Sequence, residues 1–308
     1  MRLASIRLPG RTVAVLDVPG AEVAVLPDRF ADVESVLRAP EHERRALLQD
    51  APKRGERLPR AGLSWAPPVL RPGKILCVAL NNSANPERII SGPATPALFL
   101  KPSSSLVGHG QAIRLRTDDG RVHPEPELAV VIGKAGTDIA EDAALSHVFG
   151  YTVLNDITAP DLRGVDTFHY RAVHPDPDHG NGTRYVDSWV SYPGRYKGAD
   201  TFAPLGPWVV TADEIPDPHA LRITCAHNGR VITDDTTANL RFSVAEVISF
   251  ASRYLTLEPG DVIGMGTALR PSPEGRGAVQ NLDLNRLGGT VTVTVDRIGE
   301  LSNPVEHR

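Results

Sequence analysis

The stretch HPEPELAVVIG, residues 123–133, contains the two features on which the interpretation of the fold and its chemistry depends. Its second half, residues 128–132, is a continuous apolar run, which predicts a strand. Its first half places Glu125 and Glu127 two positions apart. Since residues i and i+2 of a strand point to the same face, we expect the two carboxylates to lie side by side where the strand begins.

Two carboxylates this close repel each other, which raises the pKa of one of them unless a cation lies between them. Hard oxygen ligands suit Mg²⁺, Mn²⁺ or Ca²⁺. Asp156 follows the apolar stretch 151–154 and is a third candidate ligand. Three ligands from two strand ends would leave coordination positions for water and substrate, as in a catalytic metal site. From the spacing alone, a solvated Glu-x-Glu surface is the simpler interpretation.

The sequence on both sides of this stretch predicts more strands than helices. Short strands and two helical stretches, residues 32–37 and 41–48, fill the first fifty residues, and residues 52–72 look like a linker or a wrapping arm.

We place a boundary near residues 71–73, between a small N-terminal αβ domain with its linker (1–72) and a larger domain (73–308). The larger domain has two helical candidates, 141–148 and 244–255, the latter with Ser243 as N-cap. Its predicted strands are residues 74–80, 97–100, 112–115, 127–132, 151–154, 208–211, 222–226 and 291–295. The pattern favours a β-rich α+β fold over a doubly wound α/β fold.

Composition excludes several classes of protein. The 308 residues are 41 % hydrophobic and 23 % charged, which is typical of a folded domain, and no apolar run approaches the ~20 residues that span a bilayer. The start lacks a secretory pattern, so we expect a cytoplasmic location and no membrane partner. The net charge of −4 gives no basic footprint for nucleic acid. Two cysteines, Cys77 and Cys225, suit neither a disulfide framework nor a zinc cluster. Phosphate-loop, zinc-protease and nucleophile-elbow motifs are absent.

Lysines are rare: Lys53, Lys74, Lys101, Lys134 and Lys197 stand against twenty-eight arginines. The bias is typical of a GC-rich genome, and it directs attention to each lysine that is present.

Residues 163–197 lack a steady period and are rich in histidine, aspartate and tyrosine. Such a stretch predicts a functional loop or a mobile excursion, and two short irregular strands are an alternative.

From Lys74 onward the sequence resembles the fumarylacetoacetate hydrolase family over about three quarters of the chain. The matching stretches are residues 74–81, 99–102, 125–134, 149–159, 197–202, 204–208, 257–263 with Gly266 and Thr267, and 298–305. The resemblance implies a mixed β-roll or β-sandwich catalytic domain with a small N-terminal extension, and a homodimer.

The resemblance also implies roles for individual residues. Glu125, Glu127 and Asp156 would hold Mg²⁺ or Mn²⁺, and Lys197 would be the active-site lysine. A compact ammonium suits that position better than a guanidinium fork. Thr267 would offer its hydroxyl and backbone to a substrate carboxylate, and Asn81 and Asn85 are further candidate substrate contacts.

The chain departs from the family where members carry a histidine and a glutamate that activate water. Asn85 and Arg88 stand at these positions, with Glu87 beside them. An amide does not titrate near neutral pH, so Asn85 cannot be a general base. Glu87 is the candidate catalytic substitute. A histidine from 163–197 (His169, His174 or His179) could also supply the base, or the reaction could need no activated water.

We therefore predict a metal-dependent enzyme that acts on a small carboxylate substrate, a β-diketo or 2-oxo acid, through an enolate. The first prediction is C–C bond hydrolysis of an acylpyruvate-like compound. A decarboxylase, isomerase or dehydratase that uses the same enolate is the alternative. A non-catalytic metal- or ligand-binding member of the family is the second alternative.

Overall fold

A computed structural model describes residues 1–84, 89–178, 180–273 and 279–308 of the chain, and only the backbone of Leu48. The strands are β1 (Arg2–Leu8), β2 (Arg11–Val18), β3 (Glu22–Val25), β4 (Arg57–Pro59), β5 (Ser64–Ala66), β6 (Ile75–Ala79), β7 (Ala97–Lys101), β8 (Leu106–Val107), β9 (Ile113–Leu115), β10 (Pro126–Ile132), β11 (Val148–Asn155), β12 (Thr167–Pro175), β13 (Thr183–Ser191), β14 (Ala203–Pro204), β15 (Trp208–Thr211), β16 (Arg222–His227), β17 (Arg230–Thr236), β18 (Val262–Gly264), β19 (Thr290–Val295) and β20 (Gly299–His307). The helices are α1 (Val33–Leu37), α2 (Glu41–Arg54), α3 (Glu141–Ala144), α4 (Pro160–Val165), α5 (Gly194–Gly198), α6 (Val244–Ser252) and α7 (Leu284–Leu287).

A large mixed sheet of eleven strands runs through the molecule in the order β4-β3-β2-β1-β15-β11-β10-β18-β6-β7, with β5 paired to β1. A second sheet has five strands in the order β17-β16-β19-β20-β9. Strands therefore dominate, in mixed sheets, and this confirms the predicted β-rich α+β class.

The central strand β10 is buried along its whole length, and its two faces enter different cores. Leu128, Val130 and Ile132 belong to the main core, together with residues of the five-stranded sheet and of α6. Ala129 and Val131, on the other face, belong to two smaller cores. A strand covered on both faces reads as a continuous apolar run, which explains the sequence of residues 128–132.

The first seventy residues join the same sheet. Strand β1 pairs antiparallel with β15, and the register matches Leu3 with Val209. One core combines Leu3 and Leu16 with Val131 and Val209. The boundary predicted at residue 72 stays a prediction.

Several local predictions need correction. Residues 52–72, predicted as a linker or a wrapping arm without a steady period, contain regular elements: α2 continues to Arg54, and two short strands, β4 and β5, pair with β3 and β1. The helix predicted over 141–148 ends at Ala144, and Val148 already begins β11. Helix α6 begins as predicted, since the Ser243 side chain accepts from the Glu246 backbone and the Glu246 side chain accepts in return.

Residues 163–197 form a regular structure in their middle. Strands β12 and β13 have nine residues each and pair in continuous antiparallel register, from Thr167 with Ser191 to Pro175 with Thr183. They are longer and more regular than the irregular strands considered from the sequence. Both cysteines are free and buried. In the described ranges, no helix is long and apolar enough to cross a membrane.

Candidate metal and substrate site

Antiparallel pairing brings the three predicted acidic ligands together. The register pairs Pro126 with Asn155, so the start of β10 lies beside the end of β11. The backbone N–H of Asp156 donates to the Glu125 carbonyl at 2.9 Å, which fixes the two chain segments against each other. One carboxylate oxygen from each of Glu125, Glu127 and Asp156 lies within 4.8 Å of the others.

Lys197, the lysine that the resemblance singled out, lies directly against this cluster. It is on α5, and its Nζ donates to Glu125 Oε2 at 2.9 Å and to Asp156 Oδ2 at 2.5 Å. The ammonium also lies 5.0 Å from the centre of the Phe99 ring. Burial opposes the charged form, but Asp156 and Glu125 outweigh it and raise the pKa of Lys197 above its ordinary value.

A second lysine neutralises part of the charge of the cluster, and the sequence analysis assigned it no role. Lys101, at the end of β7, has a fully buried side chain. Its Nζ donates to Asp156 Oδ1 at 2.5 Å, to the Ile157 carbonyl at 3.4 Å and to the backbone carbonyl of Lys197. Two features of the sequence could have indicated a role for Lys101, namely the scarcity of lysine and its place in the stretch 99–102 that matches the family.

The three carboxylates differ in whether a neighbouring cation neutralises their charge. Burial would raise the pKa of Glu125, yet Lys197 and His123 lower it to about 2. Burial, Asp156 and Glu125 together raise the pKa of Glu127 well above its ordinary range. In the described chain no cationic group lies within salt-bridge distance of Glu127, which accepts from the Gly266 N–H at 3.0 Å. The cluster therefore keeps negative charge that a hard divalent cation would neutralise, and its oxygen donors fit Mg²⁺, Mn²⁺ or Ca²⁺.

The chain after β18 runs closely beneath the carboxylates. A Cβ atom added to Gly264 would lie 2.6 Å from Glu127 Oε2, so any larger residue there would displace this carboxylate. Two residues further, Gly266 adopts a φ of +96°, which favours glycine as well. The Thr267 hydroxyl then donates to Glu125 Oε2 at 2.7 Å.

Part of the site opens onto a cavity of about 530 Å³. Glu125, Asp156, Lys197 and Thr267 contribute polar groups to it, and Phe99 contributes an apolar wall. Three residues that sequence reasoning did not assign also line it, namely Arg121, His123 and Arg163. The His123 ring is buried, and burial lowers its pKa against the opposing effect of Glu125.

Asn81 lines the same cavity, but its amide is already engaged. Its Nδ2 donates to the carbonyls of Phe242 and Met265, at 3.0 and 2.8 Å, and its Oδ1 accepts from the Phe242 N–H at 2.7 Å. Its predicted substrate contact, like that of Thr267, stays a prediction.

The candidates for a general base are less well placed. Asn85, Glu87, Arg88 and His179 lie outside the described residues. His169 is exposed and stacks on Trp189 in the hairpin, with ring centroids 4.3 Å apart. Neither His169 nor His174 is among the described residues that line the cavity.

Comparison with known proteins places this geometry in a family. The family model "Fumarylacetoacetate (FAA) hydrolase C-terminal" matches residues 74–306. A mitochondrial oxaloacetate tautomerase of Xenopus laevis is 35 % identical over 80 % of this chain and 70 % of its own length.

Two solved structures extend over the whole chain. A 5-carboxymethyl-2-hydroxymuconate delta-isomerase of Mycobacterium smegmatis is 29 % identical, with a TM-score of 0.70 over 100 % of this chain and 99 % of its own. A maleylpyruvate hydrolase of Sphingobium sp. SYK-6, in complex with manganese(II) and pyruvate, is 27 % identical, with a TM-score of 0.72 over 100 % and 99 %. The resemblance seen in the sequence is thereby confirmed, and the chain belongs to the fumarylacetoacetate hydrolase family.

Proposed function

We propose that this protein is a divalent-metal-dependent enzyme that converts a 2-oxo acid through an enolate. The observation that carries the proposal is the buried cluster of Glu125, Glu127 and Asp156, with the Lys197 ammonium against two of its members at the wall of a cavity. The named relatives, a tautomerase, an isomerase and a hydrolase, support it, because an enol or enolate accounts for all three reactions.

Glu125, Glu127 and Asp156 would hold the ion, with Mg²⁺ or Mn²⁺ as the proposed species. Bound there, the ion would supply Lewis acidity toward the oxygens of a 2-oxo carboxylate. The manganese in the related maleylpyruvate hydrolase structure supports this choice.

Lys197 would stabilise the negative charge that develops on the substrate oxygen. Its raised pKa keeps the ammonium protonated throughout the neutral range, so it acts as a fixed positive charge and hydrogen-bond donor. Lys101 anchors the same segment through the backbone carbonyl of Lys197, so the donor keeps its place as charge moves on the substrate.

Keto–enol tautomerisation is the reaction that the described residues support best. It moves one proton from carbon to oxygen, and the electrophilic site with its fixed cation would stabilise the enolate that forms when a base removes the carbon proton. Hydrolysis of a C–C bond needs, in addition, a base that activates water, and Glu87, the candidate for this task, lies outside the described residues. Hydrolysis is the second candidate, favoured by the likeness to maleylpyruvate hydrolase.

A second carboxylate on the substrate would find partners in the same cavity. Arg121 and Arg163 both line it and both are exposed to solvent. Guanidinium groups bind carboxylates through paired hydrogen bonds. The proposed substrate class is therefore a 2-oxo dicarboxylate, and oxaloacetate and maleylpyruvate, from the names of two relatives, belong to this class.

The test combines turnover with direct binding. With Mn²⁺ present, we expect the protein to accelerate the loss of the enol absorbance of oxaloacetate, and chelation to abolish the acceleration. Titration calorimetry should show oxalate, an enolate mimic, binding only when Mn²⁺ is present. Full turnover after chelation would contradict the metal dependence, and absence of oxalate binding at millimolar concentration would favour a non-catalytic protein.

Glu127→Gln separates the ligand assignment from folding. Because Glu127 already has a raised pKa, the amide resembles its protonated form and should fold normally. We expect Mn²⁺ affinity to fall roughly 10- to 100-fold, the equivalent of losing about 1.5–3 kcal/mol for a charged contact. Glu41→Gln, on the exposed face of α2, is the matched control and should bind Mn²⁺ like the wild type. Unchanged affinity in Glu127→Gln would refute the ligand assignment.

A further inference from the structure

The chain turns sharply where β6 ends, at a leucine whose backbone is strained. Leu80 has a φ of +54°, in the left-handed region that favours glycine and asparagine. Among the described residues that line the cavity, Leu80 alone has a positive φ. Backbone strain of this kind persists only where the surrounding structure enforces it, and it concentrates at functional sites.

Hydrogen bonds on both sides of Leu80 enforce this conformation. Before it, β6 is paired on both edges, with β18 and with β7. After it, the Asn81 amide is bound through its nitrogen and its oxygen to backbone groups, and Asn82 Nδ2 donates to the buried Asp235 carboxylate at 3.1 Å. The flanking backbone is therefore fixed, and the strain is confined to the one residue between.

The strained backbone presents an apolar side chain to the cavity instead of to a core. Leu80 is 59 % exposed and lines the cavity, although the strand before it is buried from Ile75 to Val78. In the described ranges it belongs to none of the four hydrophobic cores. Stability does not explain a leucine that stays outside the cores in an unfavourable conformation, whereas contact with a ligand in the cavity does.

Leu80 belongs to an apolar wall that starts beside the candidate site. The end of β6, the residue after it and the start of β7 supply this wall, here called the β6–β7 wall, which consists of Val78, Ala79, Leu80, Ala97, Leu98 and Phe99. The Phe99 ring lies 5.0 Å from the Lys197 ammonium. A substrate held at Lys197 would therefore extend its next atoms along a hydrocarbon surface.

We propose that the β6–β7 wall is a subsite for a hydrocarbon segment of the substrate, and that Leu80 determines the preference for such substrates. The inference rests on the proposed function, in which the metal and Lys197 would bind the 2-oxo carboxylate end. It narrows the substrate class to 2-oxo acids that continue in a hydrocarbon chain. Oxaloacetate, with a single methylene, would leave most of this wall uncovered.

A series of 2-oxo acids of increasing chain length tests the subsite. Titration calorimetry with Mn²⁺ present would compare pyruvate, 2-oxobutyrate, 2-oxopentanoate and 2-oxohexanoate, which differ by one methylene each. We expect the wild type to bind each successive member about fourfold more tightly, which is the gain for burying a methylene. None of the four has a second carboxylate, so pairing with Arg121 or Arg163 does not enter the comparison.

Leu80→Asn tests the residue itself, because asparagine is close to leucine in size and adopts the left-handed region readily. The ratio of the affinities for 2-oxohexanoate and pyruvate should fall roughly 5- to 10-fold, since an amide does not replace the apolar contact. The melting temperature should rise by about 1–3 °C, because the backbone strain is relieved. A leucine that merely supported the fold would give the opposite change in melting temperature.

Leu145→Asn is the matched control. Leu145 is 41 % exposed, has an ordinary φ of −64° and is not among the described residues that line the cavity. The same substitution at this position should leave the affinity ratio as in the wild type and should not raise the melting temperature. Circular dichroism checks that both variants are folded.

Equal affinities along the wild-type series would overturn the inference and leave the proposed function in place, because pyruvate would still bind. An affinity ratio that Leu80→Asn leaves unchanged would overturn it as well, and so would a melting temperature of this variant below that of the wild type. Failure of every 2-oxo acid to bind would instead contradict the proposed function, and the inference with it.

Discussion

Two buried lysines contact one aspartate, Asp156, at the candidate site. One lies on the strand β7 and the other on the helix α5, and each contacts a different carboxylate oxygen. Lys197 contacts Asp156 Oδ2, and Lys101 contacts Oδ1. This arrangement assigns them different tasks. Lys197 lines the cavity, whereas Lys101 is fully buried and holds the carboxylate and the α5 backbone in position.

Lys101→Met should therefore destabilise the fold as well as the site. The substitution leaves the buried Asp156 carboxylate with one ammonium partner instead of two, and the loss of a partner from a buried ion pair costs up to about 3–5 kcal/mol. Urea unfolding at pH 7 measures the change. Lys134→Met, at an exposed lysine, is the control and should change the free energy of unfolding by less than about 0.5 kcal/mol. A Lys101→Met protein as stable as this control would show that Lys101 is not a structural anchor.

Sequence spacing offered Glu125 and Glu127 on one strand face and Asp156 at the end of a later predicted strand as candidates, and the family resemblance selected these three. It could not predict the partners of Lys101. Asp156 is 55 positions away from Lys101 and the Lys197 carbonyl is 96 away, so these contacts arise only when β7, β11 and α5 come together.

Among the elements, β17 holds the segment beside Thr267 through one buried carboxylate. Asp235 Oδ2 accepts from the N–H groups of Leu269 and Arg270 at 2.8 and 3.0 Å and from Asn82 Nδ2 at 3.1 Å. Burial would raise the pKa of Asp235, but the donated hydrogen bonds outweigh it and lower the pKa below its ordinary value.

Asp235→Asn should cost about 1–3 kcal/mol at pH 7, because backbone donors lose a charged acceptor. A lowered pKa in the folded state stabilises the fold above the unfolded pKa of about 3.9, and this stabilisation disappears as pH falls through the folded pKa. The difference between variant and wild type should thus shrink below pH 4. Urea unfolding across this range is the measurement, with exposed Asp296→Asn as control. A difference that is constant with pH would contradict the role of the charge.

Elements with a strong local signal were predictable, and those made by distant pairing were not. The capping box of α6 is formed within four consecutive residues, Ser243 to Glu246, so it can be recognised from the sequence. Strands β4 and β5 have three residues each and exist because β3 and β1 pair with them. No periodicity can be read from three residues, so residues 52–72 resembled a linker.

The molecule as a whole is tied together across the predicted boundary at residue 72. Strand β1 covers the edge of β15, and Leu3 and Leu16 share a core with Val209. The family match begins at residue 74, so sequence comparison alone separates two parts that the large sheet joins.

A chain consisting of residues 73–308 should therefore be less stable than the full chain. It would expose the edge of β15 and the apolar side chains that β1 covers, and exposed sheet edges promote aggregation. Thermal unfolding and light scattering measure both effects, and the full chain is the reference. An unaggregated fragment with an unchanged melting temperature would show that the N-terminal residues form an independent domain.

The scarcity of lysine has a practical consequence for handling the protein. Lys101 and Lys197 are buried at the site, and Lys74 forms an ion pair with the fully buried Asp261. Only Lys53 and Lys134 of the five lysine side chains are exposed to solvent. Amine-reactive dyes, cross-linkers and solid supports would thus attach to lysine at two positions outside the candidate-site cavity, and the protein could be labelled or immobilised with this cavity left open.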